Sequence, residues 1–248
     1  MPRADRRGGA GVTPLVRAEI LKLRTVRTLL WVTVAMLALV AIPVISIAAS
    51  SGATSTAADD RSVARVAAVA VVFAVVLGIA IFGAEGSHGT ITQTLLVAPV
   101  RERVLAAKAA VAAALGLALG VLAEVVVVIV GVPGVSLNVH NARGVLGGVL
   151  FACAAGGVVG VGVGALFHRQ GPAIVVTLLW LLIAESVLVV ALQDNVKYLP
   201  AHVFAAAVAG GESGNSNLVG SWAGVVGALL YAVAFFAAGA VLFARRDV

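Results

Sequence analysis

The chain has 248 residues, of which 61% are hydrophobic and only 11% are charged, whereas soluble domains carry roughly 25% charged residues. A soluble fold leaves about a quarter of its exposable surface in water, so it could not hide this much apolar side chain. These proportions exclude a soluble protein and indicate an integral membrane protein. The net charge of +6 is then explained by orientation in the bilayer, and no nucleic-acid partner is expected.

Residues 1–27 form a polar, basic N-terminal segment. Within it, TPLVRAEILKLRTVRT has the marks of a helix start, with Thr13 as the cap and Pro14 at the first helical position. Such a helix either lies on anionic headgroups or also contacts a cytoplasmic partner, and both interpretations stay open. The long leader and the long apolar stretch after it favour a retained first span over a cleaved signal peptide.

Six apolar segments follow in one transmembrane domain over residues 28–248. A bilayer core about 30 Å thick needs roughly 20 apolar residues in a helix. Helices are required because lipid offers no hydrogen-bond partner to backbone groups. The sequence therefore predicts an all-α membrane protein with six transmembrane helices, at about 28–50, 64–84, 104–131, 144–167, 172–193 and 219–243.

Lys and Arg residues in the flanks of these segments set the predicted orientation. Thirteen lie on the side of the N-terminus and four on the other side, which places both termini in the cytoplasm. The use of Arg over Lys, with much Ala, Val and Gly, is typical of a GC-rich bacterial genome. The predicted location is the bacterial cytoplasmic membrane, with several passes through it.

A long polar stretch, EGSHGTITQTLLVAPVRERVLAAK, separates the second and third segments. Gly86 and Gly89 are predicted to break the helix of the second segment. Thr90 can cap a new short helix that carries Ile91 and Leu95 on one face. Such a helix would lie across the cytoplasmic ends of two spans. It could transmit a displacement from a soluble partner to both of them. The alternative is a solvated hairpin without a partner.

Glycines are concentrated in the fourth segment. Gly156, Gly160 and Gly164 recur at four-residue spacing, which makes one helix face flat enough for close approach of another backbone. This face is predicted to pack within the chain or, alternatively, at a subunit interface. A nucleotide-binding glycine loop is excluded, because such a loop follows a strand in a soluble fold.

An apolar stretch of about ten residues, LPAHVFAAAVA, lies between the fifth and sixth segments on the predicted outer side. It is too short to cross a bilayer, since a crossing helix needs roughly 20 residues. The sequence therefore predicts a short external re-entrant or interfacial helix before the last span.

Two acids lie within apolar segments, Glu124 and Glu185, both in the predicted outer half of the membrane. Ionisable residues inside a membrane are costly and mark functional sites by default. We hypothesise that both line a substrate path. The alternative is a protonated Glu that donates a hydrogen bond to a neighbouring helix.

The motifs of an enzyme are missing from the sequence. None of its three Lys residues completes a Walker A loop, so the chain has no ordinary nucleotide site. No two of its four His residues lie within ten positions of each other, and the single cysteine excludes a cysteine metal cluster. We therefore expect neither catalysis nor a metal or other cofactor in this chain.

Two segments carry a resemblance to permease subunits of ABC transporters of the type-2 exporter class. In that family an acidic residue ends the second span, Gly-Thr opens a short helix, and Pro-x-x-Arg leads by way of Lys into the third span. RAEILKLRTVRTLLW also resembles the family's N-terminal connecting helix, at Arg17, Glu19, Lys22 and Arg24. The residues that match the family's loop are Glu85, Gly89, Thr90, Leu95, Leu96, Pro99, Arg101 and Lys108.

The resemblance covers nearly the whole chain and implies a division of labour. Two permeases, identical or related, would pair around a path, while two copies of an ABC ATPase bind ATP and Mg and hydrolyse the ATP. Each permease would dock its loop helix, the coupling helix, in a groove of an ATPase. The coupling residues implied in this chain are Glu85, His88, Gly89, Thr90, Ile91, Leu95 and Arg101.

Two alternatives belong to other functional classes. An ion-driven secondary transporter would use Glu124 and Glu185, although inverted repeats and broken helices are not evident in the sequence. A membrane anchor of a regulatory complex is the other. The sequence assigns no substrate class.

Overall fold

The structure, a computed structural model, describes residues 27–50, 56–88, 101–167, 169–209 and 219–245. Every regular element in these ranges is a helix. The predicted connecting-helix residues and much of the predicted coupling helix lie outside the described residues, namely Arg17, Glu19, Lys22, Arg24, Gly89, Thr90, Ile91 and Leu95.

Within the described ranges, six helices are long and apolar enough to cross a membrane. This confirms the predicted number, and the observed bounds overlap each predicted segment. We call them spans 1 to 6: Leu29–Ser50, Ala57–Gly83, Arg101–Val135, Val139–Phe167, Gln170–Leu192 and Ser221–Arg245.

Span 2 begins earlier than predicted because its first turn is well capped. The helix Ala57–Arg65 is joined by a 3-10 turn to the helix Val69–His88. The Asp59 backbone N–H donates to Thr56 Oγ1 at 3.2 Å, and the Thr56 N–H donates to the Asp59 carboxylate at 2.8 Å. This reciprocal capping box satisfies donors that a helix start leaves unpaired.

The helix Val69–His88 runs through Gly86. The prediction that Gly86 breaks the helix of span 2 is therefore wrong. A single Gly costs a helix only about 1 kcal/mol relative to Ala. That cost does not outweigh the backbone hydrogen bonds of a helix that continues on both sides of the residue.

The bundle has two ends that differ in their connections. At one, which we call the near end, span 1 begins, spans 2 and 3 are joined, spans 4 and 5 are joined, and span 6 ends. The far end carries the other connections. Among these is the short helix Pro200–Val208 between spans 5 and 6, which matches the predicted short helix in position and length.

Span 4 is the centre of the bundle and packs against spans 2, 3 and 6. Gly156, Gly160 and Gly164 all face span 2. A Cβ at Gly160 would lie 2.9 Å from the Cα of Gly78, and one at Gly164 would lie 3.1 Å from the Ile79 carbonyl oxygen. In this structure the flat glycine face therefore packs within the chain.

The short helix Pro200–Val208 also packs through glycines. A Cβ at Gly148 of span 4 would lie 2.9 Å from the Cα of Val208. A Cβ at Gly224 of span 6 would lie 2.7 Å from the Ala206 carbonyl carbon. The short helix is thus held against the backbones of spans 4 and 6, and it closes the far end between them.

Spans 1, 5 and 6 present their large apolar side chains outward. In the most apolar stretch of each of these spans no more than 17% is buried inside the bundle, whereas the value for span 4 is 67%. Exposed apolar surface of this extent fits a lipid environment or another membrane subunit. The most exposed of these side chains include Trp31, Ile42, Leu182, Val190, Trp222 and Leu230.

Candidate functional site

The near end is the first candidate site, because the predicted coupling loop joins spans 2 and 3 there. Of the predicted coupling residues, Glu85 and His88 lie in the last turns of the helix Val69–His88. Arg101 is the first residue of span 3. The structure therefore places these residues at the two helix ends that flank the loop.

Arg101 binds the last turn of span 6. Its Nη1 donates a hydrogen bond to the Phe243 carbonyl oxygen at 2.9 Å. Its guanidinium carbon lies 5.7 Å from the centroid of the Phe243 ring. The last carbonyls of a helix have no partner within the helix and carry its negative end, so a cation stabilises them. The ring face adds a cation–π attraction.

Phe243 and a buried lysine extend this contact to span 2. The Phe243 ring meets the edge of Phe82 with centroids 5.3 Å apart, and both side chains are buried. Lys108 of span 3 is 1% exposed, and its Nζ donates to the Ile81 carbonyl oxygen at 3.2 Å. We call Ile81, Phe82, Arg101, Lys108 and Phe243 the near-end cluster, which joins spans 2, 3 and 6.

Lys108 corrects one expectation from the sequence. The sequence predicts Lys108 to be one of the thirteen cations on the cytoplasmic side of the spans, but the structure places its side chain inside the bundle. Its position about two turns after the start of a long apolar helix was the available signal. The inward direction of its side chain was not available, because apolar residues surround it in sequence on every face.

Glu185 is engaged by hydrogen-bond donors at the far half of span 5. It is 3% exposed. The Trp180 indole N–H donates to its Oε1 at 3.1 Å, and the Ala201 backbone N–H donates to both carboxylate oxygens at 3.0 and 3.1 Å. His202 Nδ1 lies 3.6 Å from Oε2. The carboxylate thus occupies the positive N-terminal end of the short helix.

A π-helical turn at Trp180–Ala184 makes this arrangement possible. Side chains five residues apart in an α-helix point about 140° away from each other, given 3.6 residues per turn. The wider π turn brings Trp180 and Glu185 to one side, where they form their hydrogen bond. π turns occur frequently at functional sites, and nothing in the sequence signalled this one.

Glu124 has the opposite environment. It is half-buried, and its Oε1 is buried without a hydrogen-bond partner in the part of the chain that the structure describes. One turn earlier, a Cβ at Gly120 would lie 3.3 Å from Cys153 Sγ of span 4, so this face of span 3 looks toward the centre of the bundle. The two acids paired in the sequence hypothesis therefore differ in what their oxygens bind.

A second buried acid, Asp60, was not singled out from the sequence. It is 1% exposed and accepts hydrogen bonds from the Asn138 backbone N–H at 3.1 Å and from Asn141 Nδ2 at 2.8 Å. Arg61 Nε donates to the Asn141 carbonyl oxygen at 3.3 Å, and Arg65 Nη2 donates to that of Ala209 at 3.3 Å. These bonds tie the start of span 2 to the far-end connections.

Comparison with protein families matches the chain to a family of transporters. The model of a family described as ABC-2 family transporter protein matches residues 15–184, which is more than half of the chain. The matched range includes both segments that carry the resemblance in the sequence, and it includes Arg101, Lys108 and Glu124. No curated protein matches the chain.

Proposed function

The chain belongs to the ABC-2 family of transporter proteins, and we propose that it is the permease subunit of an ATP-driven exporter in a bacterial cytoplasmic membrane. It would form half of the transmembrane path. The observation that carries this proposal is a family-matched, six-span domain without a Walker A loop. On this proposal the energy for transport comes from an ABC ATPase that binds ATP and Mg.

We assign the coupling to the loop over residues 85–103. The charge bias places the near end, where this loop lies, in the cytoplasm together with both termini. The near-end cluster supports the assignment, because it joins spans 2, 3 and 6 at the base of the loop. A displacement of the loop would therefore reach several spans at once.

The second partner is another permease, identical or related, so that two permeases and two ATPases form the complex. The apolar outer faces of spans 1, 5 and 6 support this proposal, since each fits either lipid or a membrane partner. The remaining outer surface would face the lipid bilayer.

Glu124 remains our candidate for a residue that lines the substrate path. We assign Glu185 a different role, which is to anchor the short helix Pro200–Val208. A carboxylate that is 3% exposed and bound on both oxygens offers nothing to a passing solute in this conformation. The unpartnered Oε1 of Glu124 can still accept a hydrogen bond. An ion-driven secondary transporter would also use such an acid. Transport that depends on an ATPase would therefore distinguish the proposed exporter from an ion-driven transporter.

Replacing Leu95 by Asp is expected to release the ATPase. The sequence pattern predicts that Leu95 shares the apolar face of the coupling helix with Ile91, and a charge on that face would oppose docking. The chain is co-expressed with a candidate ABC ATPase from the same genome and purified through a C-terminal tag. We expect one ATPase per wild-type chain and roughly 30-fold weaker binding in the variant, as for a hot-spot contact of about 2 kcal/mol.

Val139→Asp is the matched control for this experiment. Val139 is exposed at the first turn of span 4, at the far end of the bundle, so the same change there should leave ATPase binding intact. Equal retention of the ATPase by the Leu95→Asp variant and the wild type would contradict the coupling role of the loop. Failure of the wild-type chain to retain any ATPase would contradict the proposed function.

A further inference from the structure

We propose that Arg101 is a positioning residue that transmits the movement of the coupling loop to span 6, and that it acts through Phe243 rather than by touching the ATPase. The inference rests on the proposed function, because it assumes that an ATPase moves the loop. It changes the role that the family resemblance implied for Arg101, from a docking residue to a link inside the permease.

Span 6 needs such a link. The loop is continuous with spans 2 and 3, so its displacement reaches those two helices directly. Span 6 is separate from the loop in sequence, and it packs mainly on span 4 and on the short helix Pro200–Val208. Its contacts with span 3 are few, and the hydrogen bond to Phe243 is made by Arg101, the first residue of span 3.

The geometry suits transmission of a displacement. Arg101 holds one residue in two ways, by a hydrogen bond to its carbonyl oxygen and by a position over its ring. The planar guanidinium combines these contacts, which a lysine ammonium does not reproduce. Phe243 is 1% exposed and meets Phe82 edge-on, so the last turn of span 6 cannot slide past span 2 without breaking this packing.

The experiment measures whether spans 3 and 6 move together in the complete complex. The only cysteine, Cys153, is replaced by Ala, and spin labels are placed at exposed positions. One pair, Ala106 and Val241, joins spans 3 and 6, and a reference pair, Ala106 and Val176, joins spans 3 and 5. Distances are measured by pulsed electron paramagnetic resonance in nanodiscs, without nucleotide and after trapping with ATP and vanadate.

In the wild type we expect the reference distance to change with nucleotide while the distance between spans 3 and 6 stays within about 2 Å, the usual size of shifts between packed helices. Phe243→Leu removes the ring but keeps the carbonyl. In this variant and in Arg101→Gln, the distance between spans 3 and 6 should change as much as the reference distance. Arg169→Gln removes an exposed cation from the same end of the bundle and should behave as the wild type.

Three results would overturn the inference. A constant distance between spans 3 and 6 in both variants, with a moving reference pair, would show that Arg101 does not transmit the movement. Loss of the ATPase from Arg101→Gln but not from Phe243→Leu would show that Arg101 touches the ATPase. No change in either pair of the wild type would contradict the proposed function itself and the inference with it.

Discussion

Replacing Glu185 by Leu is expected to lower the free energy of unfolding by about 3 kcal/mol. The change removes a buried carboxylate and leaves two part-buried donors, the indole N–H of Trp180 and the backbone N–H of Ala201, without their acceptor. Each such orphaned donor costs about 1–3 kcal/mol. The short helix also loses the anion at its positive end. Thermal unfolding of the purified protein in detergent measures the effect.

Glu124→Leu is the matched control, since it makes the same change in another span. It removes a buried oxygen that has no hydrogen-bond partner in the described part of the chain, so stability should stay the same or rise. Glu185→Gln keeps one acceptor oxygen and should fall between Glu185→Leu and the wild type. Equal losses for the two Leu variants would contradict the anchoring role of Glu185.

Replacing Gly160 by Leu is expected to lower the free energy of unfolding by about 3 kcal/mol, the upper part of the range for overpacking. The new side chain would start 2.9 Å from the Cα of Gly78 and from the backbone nitrogen of Ile79. Backbone atoms of a packed helix cannot move aside as a flexible side chain does. Spans 2 and 4 would therefore have to separate along their shared face.

Gly147→Leu is the control on the same helix. A Cβ at Gly147 meets nothing within 4 Å, so the substitution should be neutral, or stabilising by up to about 1 kcal/mol through better helix propensity. Melting temperatures of both variants in the same detergent provide the comparison. A Gly160→Leu variant as stable as Gly147→Leu would show that spans 2 and 4 do not need their close approach.

The spans were predictable because lipid leaves the chain few choices. A long apolar segment must be helical, so counting such segments gave the six spans that the structure contains. The bounds shifted where local chemistry decided them, as at Thr56, whose capping box starts span 2 before residue 64. The continuation through Gly86 reflects the small cost of one Gly in a long helix.

The polar contacts were much less predictable. Glu124 and Glu185 look alike in sequence, and only the π turn and the N-terminus of the short helix give Glu185 its donors. Asp60 and Asn141 are far apart along the chain, so no local pattern pairs them. Arg101 was assigned to the loop from its position in a motif, but its Phe243 partner lies at the other end of the sequence.

Site-specific photo-crosslinking tests the central claim, that the loop between spans 2 and 3 docks on the ATPase through its coupling helix. A photoreactive phenylalanine analogue is placed at Leu95 or, as a control, at His140, which is exposed at the far end. Both variants are irradiated in membranes that contain the co-expressed ATPase. We expect position 95 to form a crosslink with the ATPase and position 140 to form none. A crosslink from position 140, or its absence at position 95 in complexes that retain the ATPase, would contradict the account.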